Sequence, residues 1–205
     1  MTDCHPPFYY LLLHFWLKIF GVTELTSRGF SFFFVVLTAA VLFFIGSQFI
    51  RRAGALGALF YLGSPMVMGL GSFARMYTLL HFFTALTTLV MVFILRYPNR
   101  KTLFLIYSLL IVLGLLTHYY LFMVLAAQGL ALLVTRSPRM LASLFLSQIA
   151  GIALFSALWG SAFLYHLSPA IRASDHSEGI TFYTPIWTAL KLYGGLMSRT
   201  PFFRH

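Results

Sequence analysis

Acidic side chains are nearly missing from this chain: Asp3, Glu24, Asp175 and Glu178 are its only carboxylates in 205 residues. Charged residues of either sign make up 9% of the sequence, against 60% hydrophobic residues and a mean hydropathy of +0.88. A soluble domain of this length needs charge over most of its surface, so that class is excluded. The lone Cys4 excludes an internal disulfide and a cysteine-based zinc site, and leaves the redox compartment open. Met1 leads into polar Thr-Asp-Cys-His rather than a basic segment and apolar core, so no cleavable signal peptide is indicated. Such an abrupt start predicts that a first span is missing. The formal net charge of +10 does not mark a nucleic-acid binder. The basic residues lie in the gaps between apolar runs, as determinants of membrane topology do, and form no amphipathic surface.

The apolar runs are abundant. A bilayer core of roughly 30 Å requires about 20 helical residues, and several stretches without Lys, Arg, Asp or Glu approach that length. Spans are predicted near 29–50, 53–72 and 76–95. Ser64-Pro65 predicts a kink in the second, tolerated where neighbouring helices cover the freed backbone. The run 102–135 is too long for one span, and Gly114 and Thr117-His118-Tyr119-Tyr120 interrupt it. Two short helices are expected there, at 102–117 and 120–135, and a last span at 140–165. The fold class is therefore all-α: a polytopic transmembrane helical protein with about six spans, residues 1–165 forming its membrane domain.

Arg51-Arg52, then Arg96, Arg100 and Lys101, then Arg136 and Arg139 occupy alternate junctions. Placing these three junctions in the cytoplasm satisfies the positive-inside rule with one assignment. The turn at 72–75, the turn at 117–120 and the tail 166–205 then face outward. Lys18, Arg28, Arg75 and the tail cations Arg172, Lys191, Arg199 and Arg204 count against this orientation, the tail least because long external segments carry little topological weight.

The segment 7–20 is apolar but too short for a typical span. Pro6-Pro7 offer a helix start and Gly21 a stop. Tyr10, His14 and Lys18 recur at i, i+4 and i+8 as a polar stripe, with Leu11, Leu12, Phe15 and Ile19 on the other side. This pattern predicts a helix lying in the outer interface; a truncated first span is the alternative.

With this topology, Asp3 and His5, the Arg75–Tyr77 turn and the His118–Tyr120 turn collect on one face. Residues of these types also anchor helices at the interface, so position alone leaves both readings open. Their context adds more. Asp3-Cys4-His5-Pro6-Pro7-Phe8-Tyr9-Tyr10-Leu11-Leu12-Leu13-His14 resembles the D-x-H-P-P-L-Y-Y-L-L-L-H segment of bacterial glycosyltransferases related to the dolichyl-phosphate-mannose–protein mannosyltransferases. Ala74-Arg75-Met76-Tyr77-Thr78-Leu79-Leu80 resembles their Q-E-A-R-M-Y-S-L-L. Thr117-His118-Tyr119-Tyr120, followed by Ala127-Gln128, resembles their T-H-Y-Y and A-Q segment. The three motifs stand in family order over about the first two-thirds of the chain.

The resemblance implies a GT-C fold whose site opens to the non-cytoplasmic face, in an integral protein of the bacterial plasma membrane. It implies transfer of a sugar from a polyprenyl-phosphate-linked donor to a protein, lipid or glycan acceptor. The partners would be membrane lipid, that donor and the acceptor. An inverting displacement needs a carboxylate to take the acceptor proton and cations or donors to stabilise the departing phosphate. The family's essential acidic residue lies after a first transmembrane helix, upstream of the H-P-P segment, and its place is not in this sequence. No catalytic base is therefore assigned here. Phe73 stands where the family commonly has a glutamate. The family also continues past the external region, so an incomplete or degenerate enzyme is implied. The candidate substrate-binding residues are Asp3, His5, Arg75, Tyr77, His118 and Tyr119. Arg75 is the candidate for the carrier phosphate, with His118 and Tyr119 as nearby donors; interfacial snorkelling is the competing account of Arg75. Asp3 and His5 are assigned to shaping the site or binding a divalent metal or the acceptor, and no cofactor is otherwise implied.

A transporter or lipid-linked-oligosaccharide translocase is the competing function, with His81 and Gln148 as its mid-depth polar groups, although no convincing internal repeat is seen. A non-catalytic membrane subunit is a third. The tail 166–205 reads as an external polar loop with an interfacial helix near 188–197; Asp175, His176 and Glu178 have no specific metal-ligand spacing.

Overall fold

The computed structural model describes residues 6–135 and 138–167, and all regular structure among them is α-helical. The order is α1 (Phe8–Phe20), α2 (Glu24–Ser47), α3 (Arg51–Leu62), α4 (Pro65–Ser72), α5 (Tyr77–Arg96), α6 (Lys101–Leu115), α7 (Leu121–Thr135) and α8 (Pro138–Leu167). The chain divides after Leu158. The second unit contributes only the end of α8 to the described residues, and all contacts below lie within the first. Asp3, His5, the predicted helix at 188–197 and Asp175, His176 and Glu178 lie outside the described residues.

Local chemistry sets the helix limits. Gly21 ends α1 with a φ of 85°, a conformation that side chains with a Cβ avoid. Thr23 then caps α2: Thr26 N donates to Thr23 Oγ1 (3.1 Å) and Thr23 N donates back to Thr26 Oγ1 (3.0 Å). Helix α2 thus starts five residues before the predicted span, at Glu24, which pairs with Arg28 one turn on. At 24 residues it is about 36 Å long, enough to cross the hydrocarbon and keep this charged first turn beyond it.

The predicted kink at Ser64-Pro65 is a complete break. Ser64 is extended (ψ 118°), as a residue before proline tends to be, and Pro65 begins α4, bent by 57° from α3.

Among the described residues, three helices are long and apolar enough to cross a membrane: Glu24–Ser47, Tyr77–Arg96 and Met140–Ser161. The bent pair α3–α4 makes a fourth if counted as one span. Helices α6 and α7, with 15 residues each, reach only about 22 Å. The described chain is an all-α polytopic membrane protein.

Three contacts give the relative direction of α2 and α5. Near their starts, Ser31 Oγ donates to the carbonyl of Phe73, just ahead of α5 (2.9 Å), and Phe34 packs against Phe82. Near their ends, Arg96 Nη1 donates to Gln48 Oε1 (3.1 Å). The two helices therefore run parallel, and α3 and α4 form the return between them. At the α2–α3 turn the backbones touch. A Cβ on Gly46 would stand 2.5 Å from Gly54 Cα, and one on Gly54 would strike the carbonyl oxygen of Phe43. Only glycine fits this crossing.

At the other end the packing is aromatic. Tyr9, Leu13 and Leu17 of α1 form one core with Phe30 and Phe34 of α2 and Met76, Leu79 and Phe83 around the start of α5. Trp16 adds its ring to Phe30 and its indole N–H to the carbonyl of Thr26 (2.9 Å). Helix α1 consequently has three faces. Tyr9, Leu13 and Leu17 are buried against the protein. Tyr10, His14 and Lys18 form the polar stripe. Phe15 and Ile19, 49% and 75% exposed, form an apolar face open among the described residues. The sequence pattern gives the polar stripe correctly but merges the two apolar faces into one.

Helices α5 to α8 are joined by a buried polar network. Tyr107 Oη donates to Gln128 Oε1 (2.6 Å), and Gln128 Nε2 donates to Thr88 Oγ1 (3.0 Å). Gln148 Nε2 donates to Tyr107 Oη (3.0 Å) and approaches the Leu125 carbonyl (3.3 Å). Polar groups inside a helical membrane bundle pair in this way because lipid offers them no alternative.

Candidate functional site

The three motif segments meet at the end of the bundle where α1, α5 and α7 begin. Phe8 N, the first donor of α1, reaches the carbonyl of Leu116 in the α6–α7 turn (3.1 Å). This bond uses an N–H that the helix itself cannot satisfy. Tyr77, the first residue of α5, lies against His118 of the same turn, ring centroids 5.6 Å apart. Segments some 40 and 110 residues apart in sequence thus converge.

The turn is held from within. Thr117 Oγ1 donates to the Leu113 carbonyl (2.9 Å), closing the last turn of α6. His118 N donates to the Gly114 carbonyl (2.9 Å), and Tyr120 N donates to His118 Nδ1 (3.1 Å). Because Nδ1 accepts, a neutral His118 ring carries its proton on Nε2. The ring is buried, lying between Tyr77 and Tyr120, whose centroid is 4.4 Å away.

Arg75 sits in the short segment between α4 and α5. Its backbone N–H donates to the Phe73 carbonyl (2.8 Å), which also accepts from Ser31. The side chain is exposed. Glu24, the one carboxylate among the described residues, is occupied by Arg28, so Arg75 has no acidic partner among them. An exposed guanidinium two residues before Tyr77, whose ring lies against His118, offers an anion a delocalised positive charge with several donors.

The structure separates two neighbours that the sequence groups together. Tyr119 leans towards Phe155 of α8, centroids 6.3 Å apart. Tyr120, 57% exposed, is the tyrosine beside His118. In a tight turn adjacent side chains diverge, and T-H-Y-Y alone does not say which tyrosine faces the site. Sequence reasoning also passed over Tyr9. It is fully buried between α1 and α2, near the Ser31 hydroxyl but without a well-formed hydrogen bond. Burial pushes its phenol up to about 12, Ser31 pulling weakly the other way. Among the described residues, no group of three His, Cys, Asp or Glu could hold a metal ion.

Deeper in the bundle, a crevice of about 330 Å³ lies between α2, α3 and α5, lined by Thr38, Leu42, Ile45, Tyr61, His81 and Thr84 among others. His81 Nδ1 and Tyr61 Oη are 3.1 Å apart. Gln148 is committed to Tyr107 and Leu125, so the two mid-depth polar residues singled out in the sequence are not part of one site.

A family model for dolichyl-phosphate-mannose-protein mannosyltransferases matches residues 4–167. The chain belongs to that family. No curated protein and no solved structure matches it. The matched segment contains all eight described helices and the converging motifs apart from Asp3, and the family is one of membrane glycosyltransferases.

Proposed function

We propose that the chain binds a polyprenyl-phosphate-linked sugar at the Arg75–Tyr77–His118–Tyr120 end of the bundle, on the non-cytoplasmic face, and serves its transfer to a protein, lipid or glycan acceptor. The observation that carries this reading is the contact of Tyr77 with His118, at the end opposite the arginine-rich junctions. In this reading α6 and α7 complete six spans. Helix α1 lies in the outer interface, with Phe15 and Ile19 turned to lipid. The carrier's hydrocarbon stays in the bilayer while its phosphate meets Arg75, beside the Tyr77–His118 pair.

The reaction follows from these places. The acceptor oxygen attacks the anomeric carbon, the bond from that carbon to the phosphate oxygen breaks, and the phosphate departs with the electron pair. Arg75 lowers the energy of that developing charge. The acceptor proton goes to a carboxylate, for which the described residues hold no candidate. Asp3 and His5, within the first motif, keep their assignment to shaping the site or binding the acceptor or a metal.

The test is binding of polyprenyl phosphate by the full chain in nanodiscs. Loss of one charge-assisted contact weakens binding by about 10- to 100-fold. Arg75→Ala is expected to fall in that range and Arg139→Ala to leave binding unchanged. Equal losses in the two variants would remove Arg75 from the phosphate site.

The crevice at His81 gives the translocase reading its one specific foothold. That reading requires lipid-linked sugar flux in reconstituted vesicles that disappears in His81→Ala.

A further inference from the structure

The opposite end of the same bundle has a composition that folding alone does not explain. Arg51 and Arg52 open α3, Arg96 closes α5, and Arg100 and Lys101 open α6. All five are exposed. The bond from Arg96 to Gln48 and the crossing of Gly46 with Gly54 put these three helix ends beside the end of α2. The described carboxylate, Glu24, lies at the far end of α2.

Four of these cations occupy helix N-termini, where the peptide dipoles already present positive charge and where an acid would be favoured. Neither α3 nor α6 has an acidic residue in its first turn or a side-chain cap. The arrangement therefore costs folding energy unless something anionic covers it.

Apolar and aromatic groups interleave with the cations. Phe49 and Ile50, directly before Arg51, are 72% and 65% exposed. Tyr97 is 43% exposed, with the Arg100 guanidinium 5.1 Å from its ring centroid. A soluble polyanion would have no use for an exposed Phe49-Ile50 pair, whereas a membrane interface takes up both kinds of group.

We infer that this end is a binding surface for anionic phospholipid headgroups, with Phe49, Ile50 and Tyr97 seated among the lipids and the five cations pairing with their phosphates. It is a separate surface from the candidate sugar-donor site, and its chemistry needs no sugar or polyprenyl chain.

The test uses the purified full chain in a neutral detergent. Phosphatidylglycerol, phosphatidylcholine or inorganic phosphate is added, and bound lipid is counted by native mass spectrometry beside the melting temperature. Phosphatidylglycerol is expected to be retained about tenfold more than phosphatidylcholine, with the preference collapsing at high salt. The variant Arg51→Gln/Arg52→Gln/Arg100→Gln/Lys101→Gln should lose it, and Lys18→Gln/Arg28→Gln, at the other end, should keep it. If the fourfold variant does not fold, the wild-type lipid and salt comparison decides, and Arg100→Gln/Lys101→Gln should lose part of the preference. Equal retention of the two lipids, a preference that survives high salt or the fourfold change, or an equal thermal shift from inorganic phosphate would each overturn the inference.

Discussion

The two ends of the bundle are built on opposite principles. Where α1, α2 and α5 begin, rings fill the space, and Tyr9, Phe30, Phe34 and Phe83 share one core. Where α2 and α5 end, the helices approach by removing side chains, Gly54 lying against the backbone of α2. Aromatic packing leaves hydroxyls and an imidazole at its rim, whereas glycine packing leaves a compact turn from which arginines fan out. In the proposed reading, the first end recognises a shaped ligand and the second meets a charged surface. One polypeptide can serve both because the parallel pair α2 and α5 links the two ends directly.

The largest break in this comparison should come from Gly54→Leu. With backbone atoms of Phe43 and Ser47 in the way, α3 has to move off α2, and a loss of about 2–4 kcal/mol is expected in a detergent-unfolding assay. Gly57, around which a Cβ would meet nothing, is the matched control. Gly57→Ala should stabilise by about 0.5–1 kcal/mol.

At the aromatic end the effect should appear in binding. His118→Ala is expected to weaken polyprenyl-phosphate binding about tenfold with little change in melting temperature, and His118→Gln, which keeps a donor, to recover part of it. The same titration should respond to Tyr120→Phe and ignore Tyr119→Phe, since only Tyr120 lies beside the imidazole. The reverse result would return the site to the arrangement expected from sequence.

Between the ends, Gln128→Leu removes the bonds to Tyr107 and Thr88, and a loss of about 0.6–1.7 kcal/mol is expected.

The smallest effect is a pH dependence. The Tyr9 phenol is held above its ordinary value of 10.0, at about 12, so folding favours the neutral form. Its contribution is fully present below about pH 10 and is lost as pH rises towards 12. Tyr9→Phe should remove that component of the alkaline slope in an equilibrium unfolding series, and should be neutral or slightly stabilising at pH 7 because no well-formed hydrogen bond is lost.

Features written in single residues were legible from the sequence. Gly21 ends α1 as expected, and Ser64-Pro65 separates α3 from α4. The start of α2 was missed because Arg28 was read as the end of an apolar run, whereas Thr23 and Thr26 cap each other and carry the helix past it. Spacing separated the polar stripe of α1 from its apolar residues. It could not tell buried Leu13 from exposed Phe15, since both are hydrophobic and differ only in what lies opposite. The same limit applies to Gln128 and Gln148. Periodicity describes one helix at a time, and their partners are on others.

The Tyr107–Gln128–Gln148 network also has a mechanical consequence. Turning α7 by a single residue, about 100° around its axis, would carry Gln128 away from both Tyr107 and Thr88. Helices α5 to α8 are therefore geared together, and none can swivel without stripping the others.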